Sequence, residues 1–404
     1  MKQNMKVFIP ATFGMLTAFG PFVTDFYLPV LPEMTGYFHT TPALASMSLT
    51  AGMIGLAAGQ LFIGPLTDKY GRKRILVGSM LLFVVASLLC IFSGDIFMFN
   101  AMRVLQGLAG AGGIVIAKSM SADMYTGREL ASFMALLGAI NGIAPVCAPV
   151  VGGLMAGVTS WTGVFAVILA VGLVLMVCSM FLPETLQPAN RIRKSVIKVY
   201  GNLFRVFRNS RFTLSVMAEM ACFFMFFAYI ASSPFIMQQV YHLSPLGYSL
   251  CFGLNALMIG VGAAMATRFR SQGTCLRFGG LGMLAGTLLL AFLLNTAMPL
   301  LIVMLAYIYT LICFGLMQPP LTAIALDSER DNAGAASAIF GASGFVAGAL
   351  SSPLVGIGDI TVTSGLVMAC GAVVCLLFIL PLSSKLRAVA ADSFLIVPDS
   401  CYRK

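Results

Sequence analysis

The sequence predicts an all-α membrane protein whose twelve transmembrane helices form two pseudo-symmetric six-helix bundles. Three observations predict it. Of its 404 residues, 59% are hydrophobic and only 9% charged, against a charged fraction of about 25% in soluble domains. Apolar runs of about 20 residues, long enough to cross a hydrocarbon core, recur through the chain in two sets of six. Threading these runs through a bilayer gathers nearly all the Lys and Arg on one face, as short cytoplasmic loops require.

In order, the first set falls at roughly 7–28, 43–65, 75–93, 96–118, 132–155 and 160–182. The first run begins behind Lys2 and Lys6 and is longer than a signal-peptide core, so it reads as an uncleaved span. The second set falls at roughly 213–235, 246–267, 277–296, 299–322, 333–356 and 361–382. The organisation expected is an N-terminal bundle over 1–185, a connector over 186–212, a C-terminal bundle over 213–382 and a tail over 383–404. The connector carries Arg191, Arg193, Lys194, Lys198, Arg205, Arg208 and Arg211, and part of it is expected to lie on the membrane as a basic amphipathic helix. Of the 24 Lys and Arg residues, all but Arg103 fall at the N-terminus, in the even-to-odd loops, at their helix ends or in the tail. The loops on the other side carry Glu33, Asp95, Asp359, His39 and His242. Both termini are therefore expected to be cytoplasmic, and the net charge of +10 marks a membrane face, not a nucleic-acid partner. The ten cysteines show no C-x-x-C spacing, and no H-E-x-x-H, P-loop or G-x-S-x-G element occurs. No metal, cofactor or enzyme activity is expected.

Three ionisable groups remain inside the spans. Asp25, in Thr24-Asp25-Phe26-Tyr27-Leu28-Pro29, stands in a run otherwise fit for hydrocarbon, where a charge costs roughly 2.5–3.5 kcal/mol on insertion scales. Arg103 lies in the outer part of an inward-running span and Asp25 in the outer part of an outward-running one, so the two can sit at similar depth, where pairing, as a structural ion pair or a functional one, or a shared water network would lower the cost of both. Glu219 lies in the seventh span, and helical spacing puts Phe223, Phe226 and Phe227 on nearly its face. That face suits a flat, lipophilic ligand, including a cationic one; the alternative is a solvated Glu219 near Arg211 with the rings facing lipid. Phe22, Asn141 and Asn255 complete the residues expected to line a central cavity.

The loop after the second run, Gly64-Pro-Leu-Thr-Asp68-Lys-Tyr-Gly71-Arg72-Lys73-Arg74, matches the G-x-L-a-D-[RK]-x-G-[RK]-[RK] signature of the major facilitator superfamily. Cations alone would set topology; Gly64, Asp68 and Gly71 beside Arg72 and Arg74 require more. The resemblance implies a cytoplasmic latch against the start of span 11, near Asn332 to Gly334. The matching loop of the second half, Arg268 to Arg277, keeps the cations but has no acid. Arg103-Val-Leu-Gln106-Gly107 resembles the superfamily's R-x-x-q-G element, and Gly142, Pro145, Pro149, Gly152 and Gly153 resemble its antiporter motif, with Ala148 where the family has glycine. Together with Trp161, Phe165 and Ser233-Pro234-Phe235, these segments resemble the bicyclomycin and chloramphenicol resistance (Bcr/CflA) family over about residues 8–382. The resemblance implies a monomeric, proton-coupled antiporter in an inner membrane. It would export small lipophilic drugs by alternating access, with Asp25 handling protons and the lipid bilayer as its surroundings. Arg103 and, from its place in the seventh span and not from the resemblance, Glu219 are the other coupling candidates. The alternatives are a proton-coupled uptake symporter for a small metabolite and a membrane-embedded enzyme or sensor.

Overall fold

The computed structural model describes residues 3–188, 191, 204–296, 298–329 and 333–395, and all regular structure among them is helical. Among the described residues, eleven helices are long and apolar enough to cross a membrane, and the bent run from Val7 to Tyr37, taken as one span, makes a twelfth. In the first half, α1 (Gln3–Thr17), α2 (Phe19–Asp25) and α3 (Leu31–Tyr37) make up this broken crossing. It is followed by α4 (Pro42–Tyr70), α5 (Arg72–Ile91), α6 (Ile96–Met124), α7 (Gly127–Ala156) and α8 (Trp161–Phe181). The second half holds α9 (Ser210–Phe235), α10 (Pro245–Ala266), α11 (Gln272–Leu294), α12 (Leu300–Ser328), α13 (Ala333–Ser351) and α14 (Ile360–Leu395).

Proline chemistry breaks the first crossing. Pro21 has no N–H for the Thr17 carbonyl and its ring crowds that group, and the chain bends by 41° between the segments Val7–Thr17 and Phe19–Tyr37. Pro29 likewise offers no N–H to the Asp25 carbonyl, and the α-helix stops at Asp25, giving way to a short 3-10 turn over Leu28–Val30. The seventh crossing is perturbed by the same means. Pro234 cannot bond the Ile230 carbonyl, the hydroxyl of Ser233 donates to that carbonyl at 3.3 Å, and after Phe235 the segment Ile236–Val240 forms a π turn.

The two halves repeat in detail. His39 and His242 end the first and seventh crossings with φ of 46° and 55°. Each is followed two residues later by a helix cap and proline, Thr41-Pro42 and Ser244-Pro245. The cap hydroxyls accept from Leu44 N at 3.3 Å and Gly247 N at 3.1 Å, satisfying donors that a helix start leaves free. Packing repeats too. A Cβ at Gly55 would strike the Val104 carbonyl of α6, and one at Gly262 would strike the Ile312 carbonyl of α12. Spans 2 and 4 of one half and 8 and 10 of the other thus meet backbone to backbone through small residues.

Several helices outrun the apolar runs. α6 continues past Lys118 to Met124 and α14 past Leu382 to Leu395, so part of the expected tail is helix. The physical reason is that hydropathy marks the part that suits hydrocarbon, whereas a helix ends at its cap or a breaker, and polar residues continue it into the interface. The expected amphipathic helix of the connector lies mostly at residues 189–190 and 192–203, outside the described residues.

Candidate functional site

The halves enclose a cavity of about 1560 Å³. Its lining runs from Asp25 of α2 past Glu219 of α9 to Gln60, Gly64 and Asp68 of α4 and Lys118 of α6, so it opens toward the end of the bundle that carries the Gly71 loop, the wide end. The opposite end is shut. There Gln238 Nε2 donates to the Pro29 carbonyl across the halves at 3.0 Å, and a Cβ at Gly153 would meet the Ser249 side chain and the Pro245 carbonyl of α10.

Two buried carboxylates face this cavity, one from each half, besides the partly exposed Asp68. Asp25 is 5% exposed and Glu219 4%, and each has one buried oxygen, Oδ1 and Oε2, with no hydrogen-bond partner. Asp25 reaches the cavity with Pro21 and Thr24, the i, i+3, i+4 spacing of one helix face. Beyond Glu219 the same face of α9 brings Phe223, Phe226 and Phe227 to the wall, joined by Phe340 and Phe345 of α13. Phe226 stacks on Phe314 with centroids 4.6 Å apart, and Gly344 leaves room for Phe223, whose Cγ lies 3.1 Å from where a Cβ would stand. Asn141 and Pro145 of α7 line the other side.

Three expectations require correction. Arg103 does not pair with Asp25: no ion pair joins them among the described residues. Fully buried, Arg103 bonds the Gln106 amide oxygen, donates Nη2 to the Val23 carbonyl at 2.7 Å and lies over the Tyr27 ring at 4.4 Å. The break after Asp25 explains this, because a continued helix would have bonded that carbonyl to Tyr27 N. Phe22 does not line the cavity; its ring packs on Phe26 at 4.6 Å, since Pro21, Thr24 and Asp25 take the cavity face and turn it aside. Asn255 is also withdrawn, buried in the second half with Nδ2 donating to the Tyr229 hydroxyl at 2.9 Å.

The Gly64–Arg74 segment organises the wide end. Arg72 pairs with Asp68 and with Asp123 of α6, Nε to Oδ2 at 3.1 Å, and donates Nη1 to the Thr67 hydroxyl at 2.6 Å. Its backbone N–H donates to Glu184 Oε1 at 2.9 Å, and Thr185 donates to Asp123 at 2.8 Å. Gly71 has φ of 99°, a conformation that favours glycine; its missing Cβ leaves room for the Glu184 carboxylate. Arg74 is exposed. The expected partner Asn332 lies outside the described residues. Sequence reasoning missed Asp123 and Glu184, whose signal was a lone acid at the end of span 4 and another just after span 6. It also placed Lys118 at the surface, and the structure puts it in the cavity wall. In the antiporter-like segment, a Cβ at Gly152 would strike the Phe26 carbonyl, whereas Gly142 has open space beside it. Pro149 is buried.

Two helical halves around a central cavity, narrow at one end and charged at the other, define a multi-pass transporter. The model of the Major Facilitator Superfamily matches residues 13–352, and the chain belongs to that superfamily. It is 33% identical to an uncharacterized MFS-type transporter, YdgK, of Bacillus subtilis, over 89% of this chain and 92% of that one. It also resembles a bicyclomycin resistance protein homolog of Haemophilus influenzae, 27% identical over 67% of this chain and 68% of that one. A chloramphenicol resistance protein of Pseudomonas aeruginosa is 28% identical over 70% and 67%. The expected likeness to the bicyclomycin and chloramphenicol resistance proteins is therefore found. The fold matches a solved D-xylose-proton symporter with a TM-score of 0.73 at 16% identity, covering 93% of this chain and 97% of that one.

Proposed function

We propose that the protein is a proton-coupled antiporter that exports small lipophilic compounds, drugs among them, by alternating access across a bacterial inner membrane, acting as a monomer with both termini cytoplasmic. The observation that carries this reading is the pair of unpartnered buried carboxylates, Asp25 and Glu219, one from each half, facing a cavity whose lining reaches toward the basic loops. A group so placed has a proton occupancy that depends on its wetting and on its neighbours. When the halves rock, both change. A proton released inward yields about 2.3 kcal/mol per 100 mV, and compounds entering from the basic side would meet the carboxylates of the same cavity. The phenylalanine-rich wall suits lipophilic cargo better than a sugar, which needs several polar partners.

Arg103 then acts as a positioning residue that holds the broken first crossing so that Asp25 faces the cavity. Closure of the wide end would bring the Asp68 and Arg72 cluster, with Gly64, Gly71 and Arg74 around it, against the start of α13. Gly152 and Gly153 let α7 seat against the first crossing and α10. The test uses everted vesicles with chloramphenicol as probe. Asp25→Asn should abolish drug-driven proton release while the protein stays in the membrane at normal level. Full proton release from that variant would end the assignment.

A further inference from the structure

The charge balance of the cavity points beyond a generic lipophilic cargo. Arg103, the base expected to neutralise Asp25, is turned away into the first half. Of the charged groups lining the cavity, Asp25, Glu219 and Asp68 are acids and Lys118 the base, and Asp68 is already paired with Arg72. No cation meets Glu219 among the described residues; its neighbours on α9 and α14 are the thiols of Cys222 and Cys375, 3.2 Å apart and uncharged as thiols, and rings of its own face. A carboxylate with an unpartnered oxygen, set below Phe223, Phe226 and Phe227, is a counter-ion with a ring cage. Aromatic faces attract cations in desolvated sites, and the same rings bury the cation's own apolar surface.

We propose that Glu219 is the specificity-determining residue of the cavity and that the preferred cargo is an organic cation bearing aromatic or bulky apolar groups, held between the Glu219 carboxylate and the phenylalanine wall of α9. Asp25, on the opposite half, keeps the proton. This rests on the transport reading above but assigns cargo charge, and the two can fail separately. A neutral aromatic such as chloramphenicol gains the rings and nothing from the carboxylate. A quaternary cation gains both.

The experiment measures binding of tetraphenylphosphonium and of chloramphenicol to the full chain in nanodiscs. The wild type should bind tetraphenylphosphonium. Glu219→Gln should weaken it about tenfold or more while changing chloramphenicol binding less than about twofold, Glu219→Asp should restore most of it, and Phe226→Ala should weaken both probes. Absence of tetraphenylphosphonium binding in the wild type, equal binding by Glu219→Gln, or equal loss of both probes in that variant would overturn the proposal. If Glu219→Gln does not fold, the Glu219→Asp variant decides, since retained charge must retain cation binding. In everted vesicles the same cation tests the other reading. Glu219-dependent binding without proton release would sink antiport and leave the counter-ion role standing; proton release that survives Glu219→Gln with unchanged affinity would do the reverse.

Discussion

At the scale of single residues, the fate of Arg103 decides how the charges inside the protein are read. A buried guanidinium needs its donors filled, and here a carbonyl freed by a helix break, a glutamine amide and an aromatic face do so. Removing it would leave the Val23 carbonyl and the Gln106 amide oxygen unpaired, at a cost of about 1–3 kcal/mol for each buried polar group left unsatisfied. Arg103→Lys should therefore lower the Tm in detergent, because an ammonium cannot reproduce the planar fork. Since Asp25 is not its partner, Asp25→Asn and Arg103→Lys should act additively on unfolding free energy within about 0.5 kcal/mol. A double-mutant cycle showing strong coupling would restore the ion pair. The sequence reading failed here for a definite reason. One acid and one base were visible inside the first half, but a backbone carbonyl is invisible as an acceptor until the helix break after Asp25 is recognised as freeing that of Val23. Asp25 and Glu219 were legible because a lone carboxylate in an apolar run has few bland explanations, and the helical spacing of Phe223, Phe226 and Phe227 was sufficient to place them together.

At the scale of elements, the number and order of crossings could be read from hydropathy, but their contacts could not. Nothing in the apolar runs distinguishes Gly55, which lies against the Val104 carbonyl, from Gly138, which has nothing within 4 Å. Both sit in small-residue stretches of long helices. The difference lies in which face each helix turns to a neighbour, and uniformly apolar helices carry little such signal. The consequence is measurable. Gly55→Val, and Gly315→Val at the contact with the Ile259 carbonyl in the other half, should each lower the Tm, since overpacking against backbone typically costs about 1–3 kcal/mol or more. Gly138→Val should leave the Tm nearly unchanged. Equal behaviour of the three variants would mean that the close approach of α4 to α6 and of α10 to α12 is not maintained in the bilayer. The signature loop was legible as a motif, yet its contacts with Asp123 and Glu184 were not, because they join segments far apart in sequence.

At the scale of the whole molecule, the arrangement is one half closed upon the other at the end holding His39 and His242 and parted at the end holding Gly71. The closed end depends on a few tight cross-half contacts, and Gly153 is the most direct to perturb. Its neighbours across the seam are the Ser249 Cβ at 2.8 Å and the Pro245 carbonyl at 2.9 Å from where a Cβ would stand. A carbonyl within the first turn of α10 cannot move aside without moving the helix. A larger side chain therefore acts as a wedge, and because packed halves have discrete arrangements, the strain should be relieved by rocking, not by local loosening. Gly153→Val should shift the population toward a state open at the His39 end and closed at the Gly71 end. Nitroxide labels at Gly94 and Asn295, in loops of opposite halves at the His39 end, would report it in a cysteine-free background as a lengthened distance relative to Gly153. A second pair at the Gly71 end should shorten in the same sample. Rocking requires the two changes together, because the halves share one seam and the cavity lies across it. A longer distance at one end with no change at the other would indicate local distortion of α7 and would remove alternating access as the account of this cavity.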